Sequence, residues 1–412
     1  MDISQLNING VYAGDFKDAQ SRQYIEQIQQ SLTKLGQNYT GISWKISDVV
    51  KTIQYVGDVD YKTRLTNWID NSPKPCEVKK DGTDFAYLRN TSGVASATNW
   101  SQRENGSAAH QTNEDYLQCV ELFNVNIAEI IDVENDRHSI LFNLDELCPA
   151  GFRRFLVEPS KLFNRYDFCF AGQDAASTTV SACKGLAQPT GNFSFENVQT
   201  LVAATGSKIL KLTGWEIAVI SWLEAFRYGT LNMQSSSLGS GLSSGSESAA
   251  RGWVSGTTDS LTTPHGAVSG GFRFMYMENV NYGKQWLMGW GVRGNLNMGY
   301  CCTDDIKANA KAIPDLADCD LTFSILPTSG TYAKEVNILG VLTATGGSDT
   351  SGFFDGNWSN VGASDRILYV GGSSNDGSVC GAFARYLGND VTDSNWIRRA
   401  RGAMRKSAVV SA

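Results

Sequence analysis

Residues 365–403 read DRILYVGGSSNDGSVCGAFARYLGNDVTDSNWIRRARGA. RILYVGG (366–372) and GAFARYL (381–387) are short apolar runs bounded by Gly, Asn, Asp and Ser, the pattern of brief strands joined by polar loops. The glycines permit tight turns, and the short runs alternate inward apolar with outward polar side chains. The same texture extends towards the N-terminus through NILGVL (337–342), LTFSIL (321–326), KQWLMGWGV (284–292) and FRFMYMENV (272–280). These runs predict a final all-β portion. Before it lies SSSLGSGLSSGSES (235–248), a Ser/Gly tract that cannot bury apolar area and is read, with its flanks, as a surface loop over 234–260.

Two helices precede that loop. TGWE (213–216) has the form of a capping box, and Trp215, Val219, Trp222, Leu223 and Phe226 follow at helical spacing. This helix is apolar on most sides, which predicts burial. SFENVQTLVAATG (194–206) places Phe195, Val198, Leu201 and Val202 on one face, with Ser194 as N-cap and Gly206 as stop. Further back, YLQCVELFNVNIAEIIDV (116–133) carries the alternation of paired strands, and HSILFNLDE (138–146) reads as a third. The change of pattern at SPKPCEVKKDGTDFAYL (72–88) starts the strand-rich part near residue 75.

The first seventy residues read as helical. Between Asp18 and Gly36, Ile25, Ile28, Leu32 and Leu35 form a narrow apolar stripe, suited equally to a short coiled coil and to a helix docked on its own domain. Two more helical patterns follow, Ile46, Val49, Val50 and Ile53 before Gly57, then Tyr61, Leu65, Trp68 and Ile69. Three regions result: a helical attachment or oligomerisation region over 1–72, a strand-rich region over 73–190, and the remainder over 191–412.

Composition narrows the function. Hydrophobic residues make up 42% of the 412, enough for packed cores, while charged residues make up only 19% and glycine contributes 41 positions, which favours strand and loop. A net charge of −7 disfavours nucleic acid and anionic membranes as partners. The basic cluster Arg398, Arg399, Arg401, Arg405 and Lys406 reads as a solvated terminal segment or as arginines packed within a sheet. No run approaches the ~18–20 apolar residues of a membrane span, and MDISQLNING lacks a secretory pattern, so synthesis in a cytoplasm is expected. Nine cysteines show no CxxC pair and no zinc spacing; buried free thiols are expected, with the adjacent Cys301 and Cys302 in packing roles. GLSSG (241–245) matches a nucleophile elbow but lies inside the Ser/Gly tract, away from the strand and helix that motif needs. His110, His138 and His265 have no metal-ligand spacing, and the acidic clusters Asp304/Asp305 and Asp315/Asp318/Asp320 read as turn residues before cation ligands. Neither metal nor cofactor is expected.

The order of features carries a resemblance. CPAGFRRF (148–155) and NRYDF (164–168) come first, then TGWEIAVISWLEAFRYGTLNMQ (213–234), GGFRFMYMENVNYGKQWLMGWGV (270–292) and the closing segment. This resembles the C-type-lectin-like fold in its formylglycine-generating-enzyme-like form, found in phage fibre and tail proteins and in the variable proteins of diversity-generating retroelements. In the closing segment Arg366, Gly371, Gly372, Ser373, Asn375, Gly377, Gly381, Phe383, Asn389, Trp396, Arg401 and Gly402 match the family's strand–turn–strand pattern. The resemblance covers roughly residues 115–406 and is strongest at the end. GGSSN departs from relatives that carry Trp after the first Ser, which alters the surface at Ser374. Cys380 stands alone where the copper-dependent enzymes of this fold use a close cysteine pair, so that chemistry is not expected here.

With the helical N-terminal segment read above, which lies outside the resemblance, the expected class is α+β: a helical N-terminal segment, then, as the resemblance implies, a lectin-like domain of short antiparallel strands, two main helices and long loops. The resemblance also implies a non-enzymatic virion protein, a homo-oligomer bound to other virion proteins, presenting its lectin-like body to a host-surface glycan or protein. The candidate ligand-binding loop comprises Ser373, Ser374, Asn375, Asp376, Asn389, Asp390, Asn395 and Trp396. Trp286, Trp290, Trp358 and Trp396 offer either sugar-stacking faces or core packing. Two alternatives stay open: a capsid or tail component that touches only other virion proteins, and a polysaccharide-degrading enzyme on the same fold.

Overall fold

The computed structural model describes residues 6–8, 11–12, 38–90, 98–166, 169–170, 180–181, 208–233, 256–261, 263–268, 271–280, 284–293, 298–310, 318–326, 330–359, 365–371, 377–387, 392 and 398–409. The helical stripe of Ile25, Ile28, Leu32 and Leu35, the pattern over 194–206 and the whole Ser/Gly tract of 235–248 lie outside these residues.

Strand begins well before residue 75. β1 (Leu6–Ile8), β2 (Val11–Tyr12), β3 (Thr40–Lys45) and β4 (Gln54–Gly57) precede helix α1 (Val59–Asn71). The Ile46–Ile53 pattern is not a helix, which corrects the sequence reading. In a helix the carbonyls of Lys45 and Ile46 would accept from the N–H groups four residues on. Here the Lys51 ammonium takes both, at 3.1 and 2.6 Å, and Val49 and Val50 are left exposed. The third pattern is α1, capped by Asp58, whose carboxylate accepts from Tyr61 N at 2.7 Å, with Tyr61, Leu65 and Ile69 buried.

The middle of the chain adds β5 (Lys74–Lys79), β6 (Ala86–Asn90), β7 (Thr98–Arg103), β8 (Tyr116–Phe123), β9 (Asn126–Asp132), β10 (Arg137–Asn143), β11 (Arg153–Arg154) and β12 (Ser160–Asn164). The run 116–133 does hold two strands, but they part at Asn124 and Val125 and enter different sheets. Nearly every residue of β8 and β9 is buried, so both faces of each strand are covered and alternation alone could not reveal the partners. β9 joins the first sheet, of order β2–β1–β9–β10–β3–β4 with β11 beside β9.

The short β13 (Cys169–Phe170) and β14 (Val180–Ser181) pair with each other, and β15 (Ile209–Lys211) leads into helix α2 (Gly214–Tyr228). α2 has the predicted capping box, with Thr213 and Glu216 bonding reciprocally, and it ends at Gly229 in the left-handed conformation. All its residues from Gly214 to Phe226 are buried. Trp222 stacks on Trp44 of β3 at 5.7 Å and donates its Nε1 proton to Ile338 O at 2.7 Å, so α2 ties the first sheet to the C-terminal part of the chain.

That part begins with β16 (Gly266–Val268), β17 (Gly271–Phe274) and β18 (Met277–Glu278), a three-stranded unit. It continues with β19 (Lys284–Arg293), β20 (Met298–Cys301), the short helix α3 (Asp305–Ala310), β21 (Leu321–Ser324), β22 (Thr331–Val336), β23 (Leu342–Thr345) and β24 (Gly356–Trp358). β25 (Arg366–Val370), β26 (Arg385–Tyr386), β27 (Arg398–Arg399) and β28 (Gly402–Arg405) close the chain. The largest sheet has nine strands, of order β21–β20–β19–β25–β26–β24–β22–β23 with β27 beside β19. β28 leaves it and pairs with β12 and β15, completing the second sheet, β15–β28–β12–β8–β5–β6–β7.

Two predicted strands are largely turns. In NILGVL the Asn337 carboxamide accepts from Leu339 N and Val341 N at 3.0 and 3.1 Å, bending the backbone through Gly340 at φ +73°. In GAFARYL a turn from Gly381 to Ala384 comes first, and strand is confined to Arg385–Tyr386. The end of the expected 234–260 loop is also ordered, as a 3-10 turn over Thr257–Ser260. The described residues form a mixed α+β protein, mostly sheet, with three α-helices.

Candidate functional site: strand anchors and buried charge networks

The eight candidate ligand-binding residues, Ser373, Ser374, Asn375, Asp376, Asn389, Asp390, Asn395 and Trp396, all lie outside the described residues, and their anchors are what the structure shows. β25 delivers the chain to Gly371, just before the first group. β27 receives it at Arg398, just after the last. Both strands flank the start of β19, where Gln285 is the register partner of Val370 on one side and of Arg399 on the other. The strand that leads into the first group and the strand that follows the second are therefore neighbours of one and the same strand.

The packing at these strands is aromatic and tightly bonded. Trp358, Tyr386 and Tyr369 stack in a column, at 4.5 Å between the first two rings and 4.9 Å between the last two, each pair within 8° of parallel. Trp358 is half-buried. Trp290 is fully buried, edge-on to Phe323 at 6.0 Å, and so belongs to the core. The buried Arg385 donates to Ala382 O at 2.7 Å and to Ala384 O at 3.2 Å, while Phe383 N donates to the Asp355 carboxylate at 2.8 Å. Burial brings the Arg385 guanidinium down to about 9 against the pull of Asp355, and burial drives the Asp355 carboxyl well above the usual carboxylate range. Of the C-terminal basic cluster, Arg401 and Arg405 are tied into the fold by hydrogen bonds. Arg401 is buried and donates to Arg165 O at 2.9 Å and Asn164 O at 3.2 Å, and Arg405 Nε donates to Asp305 at 3.0 Å.

Sequence reasoning left the three histidines unassigned, and the fold sets each against a carboxylate. His138 of β10 is buried between Glu129 of β9 (3.0 Å) and Glu335 of β22 (3.1 Å). Glu335 also accepts from Trp44 Nε1 at 3.1 Å and meets the Lys51 ammonium at 2.5 Å. His265 contacts Asp70 through Nε2 at 3.0 Å, and its Nδ1 accepts from Met275 N at 3.0 Å. His110 lies 3.0 Å from Glu77 and stacks on Tyr116 at 3.9 Å. Around it Arg103 bonds Glu77 at 2.5 Å and grips Asp84 with two bonds of 2.8 and 3.0 Å, which holds the Asp84 carboxyl down at about 2. Only His138 carries a sequence signal, an ionisable residue inside a strand run; partners up to 197 positions apart are set by topology.

A further network joins Lys161 of β12 to Glu216 and Asp305, each at 2.6 Å. The same Glu216 closes the capping box of α2, so one carboxylate serves both helix and ion pair. Of the acidic clusters weighed as cation sites, Asp305 is engaged by Lys161 and Arg405, and Asp320 by Thr303 and Arg153; Asp315 lies outside the described residues. Chemically the networks around Lys51, Arg103 and Lys161 are clamps: each fixes a charge inside the fold against opposite charge. No helix among the described residues is long and apolar enough to cross a membrane. No protein-family model matches the chain, and no curated protein matches it.

Proposed function

We propose that the chain is a structural protein of a bacteriophage virion whose lectin-like C-terminal part binds a host-surface glycan or protein and performs no catalysis. The observation that carries this reading is the placement of the flanking strands: Gln285 lies between Val370, which precedes the first candidate group, and Arg399, which follows the second. A recognition surface needs variable loops on a scaffold that does not move with them. The Trp358–Tyr386–Tyr369 column and the Arg385 and Asp355 bonds supply that scaffold. The sequence resemblance supplies the lectin-like identity and the virion. The candidate contacts remain Ser373, Ser374, Asn375, Asp376, Asn389, Asp390, Asn395 and Trp396.

A second reading is a capsid or tail component whose partners are only other virion proteins. The exposed Val49, Val50 and Val59, three large apolar side chains within eleven residues, favour it. Immunogold labelling of purified particles with antibodies against the chain tests what both readings share. Label on the head or tail is expected; particles that stay unlabelled while the protein is abundant in the lysate would refute a virion role.

A further inference from the structure

Cys302 and Cys319 meet at the mouth of the β20–β21 hairpin. The last ladder pair there is Cys301 with Leu321, and just beyond it the Cys302 and Cys319 sulfurs lie 2.7 Å apart. That is well inside the ~3.5–4.0 Å of ordinary non-bonded contact between carbons. The neighbouring Cys301 is not the partner, because successive strand side chains point to opposite faces. Cys301 packs into the main core with Trp290 and Phe323, whereas Cys302 packs into the separate cluster that contains Tyr369 and Met404. Both cysteines of the adjacent pair are therefore packed in buried clusters, as the sequence suggests, and Cys302 in addition meets a second sulfur.

We propose that Cys302 and Cys319 form a reversible dithiol–disulfide latch, oxidised by low-molecular-weight disulfides of the oxidised-glutathione class. Cys319 is partly exposed and Cys302 is 1% exposed, so the reaction starts at Cys319. Its thiolate attacks one sulfur of the small disulfide, that S–S bond breaks, and one glutathione thiolate leaves with the electron pair. Cys302 then gives its proton to solvent and attacks the Cys319 sulfur, displacing the second glutathione thiolate. Two protein thiols are oxidised and one small disulfide is reduced to two thiols. The hydrogen bond with the Cys319 sulfur, and then burial, raise the Cys302 thiol above its ordinary value, which makes the second step the slow one at neutral pH.

The bond closes a ring that carries α3. At one end Thr303 is tied to Asp320, through N at 2.9 Å and Oγ1 at 2.7 Å, and inside it Asp305 pairs with the buried Lys161. Oxidation thus pins the segment that supplies the counter-charge to Lys161, at the base of α2.

The test uses the full-length protein equilibrated over a series of reduced and oxidised glutathione ratios, quenched in acid, alkylated, digested and mapped by mass spectrometry. The wild type should yield a linked Cys302–Cys319 peptide that dithiothreitol removes. Cys302→Ser should instead hold glutathione on Cys319, because the resolving thiol is gone, and Cys319→Ser should show neither product. Amides over residues 303–310 should exchange more slowly in the oxidised protein. Alkylation of both thiols at every ratio would overturn the proposal, as would a stable Cys319–glutathione adduct in the wild type with Cys302 alkylated. Should Cys302→Ser fail to fold, the wild-type peptide map and the half-exposed Cys319→Ser variant still decide it.

Discussion

His138 and His265 are both buried and both face carboxylates, yet the fold settles them in opposite protonation states. His265 Nδ1 accepts a backbone N–H from Met275, so that nitrogen carries no proton, and burial lowers the group's pKa against the pull of Asp70. His138 has a carboxylate on each nitrogen. Burial alone would discharge it, but Glu129 and Glu335 outweigh burial and lift it from 6.5 to about 9. The folded protein therefore holds this proton more tightly than the unfolded chain, and the stabilisation is complete below about pH 6.5 and is lost as pH rises through 9. Replacing His138 with Gln should cost roughly 2–4 kcal/mol below pH 6.5 and progressively less towards pH 9. Urea midpoints of the two proteins across that range measure it; a difference that stays constant with pH would show that His138 is not held protonated. Neither state was legible in the sequence, since the deciding partners, Met275 N and Glu335, lie 10 and 197 positions away.

At the level of elements, local signals are legible in the sequence and tertiary ones are not. TGWE told its whole story in four residues because a capping box is made by groups three positions apart. Removing the cap oxygen with Thr213→Ala should lower stability by about 1–2 kcal/mol, visible as a reduced denaturation midpoint with an unchanged slope. An unaltered midpoint would mean that Glu216 keeps the helix end ordered without its partner. By contrast, NILGVL and GAFARYL look like strands in composition, and their turns come from the Asn337 side chain and from the approach of Gly381 to Asp355. A Cβ at residue 381 would lie 2.1 Å from the Asp355 carboxylate oxygen, so Gly381→Ala should force that carboxylate off Phe383 N. The expected cost is roughly 1–3 kcal/mol, read by thermal unfolding. The Ile46–Ile53 helix failed for a similar reason: the Lys51 side chain took the carbonyls that a helix would have used.

Across the whole molecule, one continuous core runs from Ile42 in the first sheet through Trp222 to Ala403 in the last strand. The division at residue 72 is crossed by the first sheet, where β3 pairs with β10, and by the Trp44–Glu335 bond. A calorimetric scan should accordingly give a single transition, with Trp44→Ala lowering it by several degrees as one peak; two separable peaks would show that the regions unfold independently. The coarse α+β class and the strand-rich C-terminal half could be read from periodicity alone. The convergence of the two flanking strands could not, because it comes through the placement of β19 between β25 and β27, and a parallel pairing between β19 and β27 has no local signature.

Recognition by the candidate loop is the claim on which the functional reading stands, and binding by loop variants tests it most directly. Fluorescently labelled full-length protein should bind cells of the host bacterium. Asp376→Ala, Asn389→Ala and Trp396→Ala should each retain the wild-type melting transition, and at least one should weaken binding by tenfold or more, about 1.4 kcal/mol. Wild-type binding retained by the triple variant would contradict the assignment of the candidate loop as the binding face.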